Sequence, residues 1–169
     1  PLHGGRVRGV RTSTGDLDAA AVILAPGNAA RDTYLWLDAA GVSMAARGFA
    51  VGVRVEHPRE LIDGIQHGAL TGHPELEAAE YRLAFQAGGR GVYTFCMCPG
   101  GHVLPVPAEP GGLAINGMSH AARASAWSNA ALVTTVGPED WDGEDVLAGV
   151  RFQRRLEEAA AAAGGGGCH

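Results

Sequence analysis

The densest reactive chemistry in the sequence lies in Phe95-Cys96-Met97-Cys98-Pro99-Gly100-Gly101-His102. Side chains two residues apart on an extended chain share a face, so Cys96 and Cys98 could act as a catalytic redox pair. With His102 as third ligand they could instead hold a soft metal ion. A structural zinc site needs four ligands, however, and no second cysteine pair lies nearby. Free cysteine is also at home as a small buried hydrophobe. Packing, thiol chemistry and metal binding all stay open here. Pro99-Gly100-Gly101 adds an irregular turn straight after a strand, where sites tend to gather.

Ala25-Pro26-Gly27-Asn28 offers a second kind of chemistry. A buried strand, a glycine turn and a helix N-terminus present free N–H groups and a favourable dipole to an anion or dinucleotide. A plain connection between strand and helix has the same pattern. Asn116-Gly117-Met118-Ser119 could offer backbone amides, and Arg123 could pair with an anion or simply be solvated. Glu109-Pro110-Gly111-Gly112 reads as a hairpin turn. The seven histidines are scattered, with no helical pair flanking a glutamate, and no Gly-x-Ser-x-Gly elbow occurs. The acidic run from Glu139 to Asp145 lacks calcium-loop spacing and reads as solvated.

The elements that must carry these residues follow from periodicity and turn chemistry. Arg6–Arg11 and Ser13–Asp16 predict a hairpin, and Ala19–Leu24 a buried strand. A helix is predicted from about Ala30 to Ala40, stopped by Gly41. Phe49–Glu56 alternates, with Phe49, Val51, Val53 and Val55 on one face and Gly52, Arg54 and Glu56 on the other. His57-Pro58 ends it and could start a short helix. Gly68–Glu77 reads as a loop. Tyr81–Gln86 and Gly91–Cys96 form a hairpin across Gly88-Gly89, and shorter strands follow at His102–Val106, Leu113–Gly117 and Ala131–Val136. An alanine-rich helix from Val146 to Ala163 ends at the Gly164–Gly167 tract.

Composition narrows the function classes. The 169 residues carry a net charge of −5, and all 13 basic residues are arginine. An acidic balance without a basic stripe argues against nucleic-acid binding. Without lysine, Schiff-base chemistry and a lysine-dependent phosphate loop are excluded for this segment. No apolar run approaches the ~20 residues of a membrane span, and three cysteines are too few for a disulfide scaffold; a reducing, intracellular compartment is favoured. Thirty alanines thin the apolar fraction and 26 glycines mark many tight turns, together suggesting a cofactor-wrapped or incomplete unit.

Longer words point further: VILAPGNAARDT (22–33), FAVGVRVEHP (49–58), GRGVYTFCMCPGG (89–101), INGMS (115–119) and AGVRFQRRLE (148–157). In order and content they resemble the C-terminal region of the uncharacterised FAD-dependent dehydrogenase (NAD/FAD-utilising dehydrogenase) family, in the glutathione-reductase-like flavoprotein superfamily. The resemblance covers almost the whole chain. It implies an α/β to α+β fold: residues 1–46 as part of a Rossmann-type FAD/NAD(P)-binding domain with a β-meander, and 47–163 as a β-rich substrate-side domain, followed by a glycine-rich tail at 164–169.

The function so implied is hydride transfer through FAD to or from a small-molecule substrate, with NAD(P)H a possible electron donor. Ala25, Pro26, Gly27, Asn28 and Arg31 would approach the cofactor, as would Gly100 and Gly101. The resemblance assigns the thiols no role; Cys96 and Cys98 are the catalytic candidates, and a reactive thiolate of either would face the flavin. Asn28 and Ala29 stand where the family often has histidine and serine. Its Gly-x-Gly-x-x-Gly turn and its late glycine-rich segment do not occur in these residues, so the missing N-terminal and C-terminal FAD-binding segments are expected as partners of this one. The runner-up reading is a non-enzymatic interaction or metal-binding module centred on Cys96, Cys98 and His102.

Overall fold

Two short hairpins open the chain. The computed structural model describes residues 2–3, 5–106 and 109–165, which divide into two units, Pro1–Ala30 and Arg31–His169. In the first unit β1 (Leu2–His3) pairs antiparallel with β2 (Arg6–Val7), and β3 (Gly9–Thr12) with β4 (Gly15–Asp18). The Ser13-Thr14 turn is stapled by the Thr12 hydroxyl, which donates to the Gly15 carbonyl at 2.8 Å.

Ala19–Leu24, expected as a buried strand, is neither buried nor a strand: Ile23 is 91% exposed. An apolar run becomes a strand only when a neighbour takes up its N–H and C=O groups. No described strand pairs with this one. Every strand pair among the described residues is antiparallel, so the parallel crossover of a Rossmann-type fold is not shown.

The second unit begins with α1 (Arg31–Ala39). Gly41, at φ 72, follows it; Val42 N–H donates to Leu37 O and Gly41 N–H to Asp38 O. That bond pair with a left-handed glycine is a Schellman stop, and the helix ends where Gly41 predicts. Next come β5 (Phe49–Pro58), α2 (Arg59–His67), β6 (Ala84–Ala87), β7 (Arg90–Cys98), β8 (Gly101–Pro105), β9 (Ile115–Ser119), β10 (Trp127–Val136) and α3 (Ala148–Ala163). Gly88 and Gly89, at φ 56 and 80, turn β6 into β7, the two-residue hairpin that a glycine pair favours. The mixed α/β unit is dominated by an antiparallel sheet in the order β5-β10-β7-β6, with β8 and β9 forming a separate hairpin.

Register confirms the alternation in β5. Val51 faces Thr134, Val53 faces Leu132, and on the opposite face Arg54 lies beside Ala131, itself opposite Phe95. At one end of the first face, Val136, Trp141 and Ala148 form a small core with Phe49, Val51 and Phe152. The Phe49 and Trp141 rings stack at 5.3 Å. Farther along the same face Val53 is 63% exposed.

A second anchor is ionic. Arg31, with only 7% of its side chain exposed, pairs with Glu157 of α3 at 2.5 Å and Glu109 at 3.2 Å. Arg154 closes the network on Glu109 at 2.5 Å, and these guanidiniums, Arg154 foremost, hold the Glu109 carboxyl below its ordinary value. Cys168, His169 and the last two glycines of the 164–167 tract lie outside the described residues.

Candidate functional site

β7 does not run straight to its end. Phe95 faces Ala131 and Cys98 faces Asn129, so Cys96 and Met97 together oppose Ala130. This is a β-bulge, a device that re-aims side chains and often adjoins active sites. Cys96 sits in it at φ 47, left-handed backbone that costs a side-chain-bearing residue about 1–2 kcal/mol. Simple strand alternation therefore does not describe the two thiols: an irregular register lies between them. Cys96 is exposed and Cys98 buried.

Arg54, reaching across from β5, ties the bulge together. Its Nη1 donates to Asn129 Oδ1 at 2.7 Å and Cys96 O at 3.0 Å, and lies 3.9 Å from Cys98 Sγ. The Cys98 thiol donates to Cys96 O at 3.5 Å. Burial pushes the Cys98 thiol up, with the Cys96 charge adding to the effect and Arg54 opposing it. Asn129 is fully buried and its Nδ2 has no hydrogen-bond partner among the described residues. Gly117 of β9 lies over this cluster; a Cβ there would come within 2.3 Å of both Arg54 Nη1 and Asn129 Oδ1, and 2.7 Å of Cys98 Sγ. Only glycine lets β9 pass so close.

The Pro99-Gly100-Gly101 turn is pinned from several sides. Gly100 N–H donates to the buried Ser128 hydroxyl at 3.0 Å, and the Ser119 hydroxyl donates to Pro99 O at 2.8 Å. Gly100 has φ 52, and a Cβ on it would stand 1.8 Å from Arg123 O. A Cβ on Gly101 would stand 2.5 Å from Met118 O. Both glycines are thus accounted for by close approach of the chain to itself.

On the outer side of the bulge lies a cleft of about 440 Å³, lined by Glu80, Tyr81, Arg82, Thr94, Phe95, Cys96 and Met97. That volume falls in the ~300–1,000 Å³ range of small-molecule sites. Phe95 leaves 63% of its surface free. Tyr81 OH lies 2.9 Å from His57 Nε2, and His57 Nδ1 lies 3.2 Å from Pro58 O. With the proton on Nδ1, His57 donates to Pro58 O and Nε2 accepts from the phenol. Burial raises the Tyr81 phenol, which keeps it a donor.

The other predicted residues fall elsewhere. His102 is 6.1 Å from the His120 ring, and no group of three metal-ligating side chains occurs among the described residues. The metal-module reading is therefore corrected: the turn at Pro99–Gly101 carries His102 into β8, paired with Met118 rather than gathered with the two thiols. Arg123 pairs with Glu80 at 2.8 Å and Glu77 at 3.4 Å. Asn116 Oδ1 accepts the Gly117 N–H at 2.8 Å, so that amide is already engaged. Gly27 has φ 88 with open space at its Cα. Arg54, Asn129 and Tyr81 escaped sequence reasoning. Arg54 was legible only as a polar residue on the reverse face of a clean strand, and nothing local to Asn129 or Tyr81 marks them.

Residues 48–169 match the family described as FAD-dependent protein, C-terminal domain-like. The chain belongs to that family. It is also 47% identical over 155 residues to an uncharacterized protein of Clostridium beijerinckii, covering 90% of this chain and 29% of that protein. The chain thus spans less than a third of that relative's length. The part matched to the FAD-dependent C-terminal family contains the main sheet, the bulge, the cleft and α3. Among the described residues no helix is long and apolar enough to cross a membrane.

Proposed function

We propose that this chain is the substrate-side part of a longer FAD-dependent oxidoreductase, the flavin passing hydride between a small molecule and an acceptor, with NAD(P)H as one electron donor. Membership of the FAD-dependent C-terminal family is the observation that carries this reading. The cleft beside Cys96 supports it. Phe95, Met97 and the body of Tyr81 supply apolar walls, while Arg82, Glu80 and Thr94 supply polar edges, the mixture that fixes a small ring compound in one orientation.

The fit to the cofactor is partial. The residues around the cleft suit a planar ring or a substrate beside it, and the open left-handed Gly27 with Ala25, Pro26 and Asn28 would allow close backbone approach. No Gly-x-Gly-x-x-Gly occurs in the sequence, so the pyrophosphate would rest on other segments of the longer protein. Arg31 already serves two carboxylates, and its work in this reading is to hold the start of α1 against α3. FAD, when bound, supplies the hydride chemistry; the protein supplies orientation and exclusion of water. Few buried apolar residues and an open sheet face also fit a part that is covered by further polypeptide.

The test is flavin content. The intact protein is expected to purify with one FAD per chain that bleaches anaerobically on addition of NADH or NADPH. Residues 1–169 alone are expected to bind FAD weakly. Flavin-free intact protein, or a tight stoichiometric complex with residues 1–169, would overturn the reading.

A further inference from the structure

Beyond the flavin reading, and independently of it, we propose that Cys96 and Cys98 form a two-electron dithiol–disulfide couple that exchanges with disulfide substrates, Cys96 attacking and Cys98 resolving. The geometry divides the roles. Cys96 is exposed at the rim of the cleft, on a bulge that turns it away from the regular strand. Cys98 is buried beneath it, its Sγ 3.5 Å from the Cys96 carbonyl and 3.9 Å from a fixed guanidinium.

The two residues are in contact, the Cys98 thiol donating to the Cys96 backbone carbonyl, and burial first, then Cys96, raises the proton affinity of Cys98. A buried thiol near a cation is poorly placed to meet an incoming disulfide. It is well placed to attack a mixed disulfide formed on its neighbour, with Arg54 stabilising the thiolate as it forms.

The steps balance. The Cys96 thiolate attacks one sulfur of a disulfide RSSR; the S–S bond breaks, and RS⁻ leaves and takes up a proton. Cys98 then loses its proton and attacks the Cys96 sulfur, forming the Cys96–Cys98 bond and expelling the second RS⁻, which is protonated in turn. One dithiol is oxidised by two electrons and one disulfide is reduced to two thiols. Because neither step involves flavin, failure here leaves the flavoprotein reading standing, and flavin-free protein would leave this one standing.

Oxidised glutathione is the probe. In intact protein carrying Cys168→Ser, incubation in glutathione redox buffers is expected to remove two hydrogens and yield a disulfide within the peptide that holds both cysteines, without retained glutathione. Cys98→Ser is expected to stop at glutathione bound on Cys96. Cys96→Ser is expected to react at least about tenfold more slowly, as a buried thiol should. The measurement on the Cys168→Ser protein with both Cys96 and Cys98 present stands even if a Cys96 or Cys98 variant fails to fold. Persistent glutathione on Cys96 when Cys98 is present, two thiols that stay free at every buffer ratio, or equal reaction rates for the Cys96 and Cys98 variants would overturn the assignment.

Discussion

Replacing Gly100 with alanine is expected to be among the most damaging single changes in the described chain. The new methyl would stand 1.8 Å from Arg123 O and 2.2 Å from Arg123 C, both backbone atoms that no side-chain rotation can clear. The left-handed φ of 52 adds its own cost. Together the backbone penalty and the overlap amount to roughly 2–5 kcal/mol, a large share of a typical domain's stability. Thermal unfolding is expected to fall by roughly 10 °C.

Gly88→Ala is the matched control, because Gly88 has nearly the same φ, 56, and nothing within 4 Å of its Cα substituent. It should cost only about 1–2 kcal/mol. Since Gly100 anchors the turn directly after Cys98, through Ser128 and Ser125, Gly100→Ala should also speed native-state alkylation of Cys98. Equal melting temperatures for the two glycine variants would remove the argument from close approach.

Arg31→Met is expected to cost about 3 kcal/mol, the scale for stripping one partner from a largely buried ion network. Glu157, with 17% of its side chain exposed, and Glu109, with 27%, would each lose a guanidinium contact. Adding Glu157→Gln should recover part of the loss, and a double-mutant cycle in urea measures the coupling; additive effects would show that the pair contributes nothing.

The same network has a pH signature. Arg154 first and Arg31 second hold Glu109 below its ordinary 4.5. A carboxyl depressed by folding contributes stability that is full above that ordinary value and is lost as pH falls through the lower, folded one. Asp140, held down by Arg90, and Asp145, held down by Arg151, act in the same direction. Stability is therefore expected to decline below about pH 4.5, and Arg154→Met should make that acid limb shallower. A limb unchanged by Arg154→Met would contradict the assignment.

Local rules made much of the second unit legible, and only part of the first. Alternation in Phe49–Glu56, the Gly88-Gly89 turn and the Gly41 stop each depend on a few neighbouring residues, and each forms as its sequence implies. Ala19–Leu24 misleads because a strand's existence depends on a partner, which no property of the run itself supplies. The bulge at Cys96 was hidden for a related reason: a two-against-one register is a property of β7 with β10, and alternation within β7 alone suggests a straight strand with both thiols on one face.

The site shows the same split. Cys96 and its glycine-rich sequel announced themselves by type and spacing. Arg54 and Asn129 gain their roles only when β5, β10 and β7 lie side by side, 75 positions separating the two residues that share a 2.7 Å hydrogen bond. Gly117 looked like a source of backbone amides, whereas its lack of a side chain is what the fold uses. Glycines report close approach reliably; whether the approaching body is a ligand or the chain itself depends on the tertiary arrangement.

Photolabelling of the intact protein with an FAD bearing an azide on its ring system, followed by peptide mapping, tests the central claim most directly. Label on the cleft segments, Glu80–Arg82 or Phe95–Met97, or on the turn at Ala25–Asn28, is the expected result. Label confined to segments outside these 169 residues, on protein that holds stoichiometric flavin, would contradict the account.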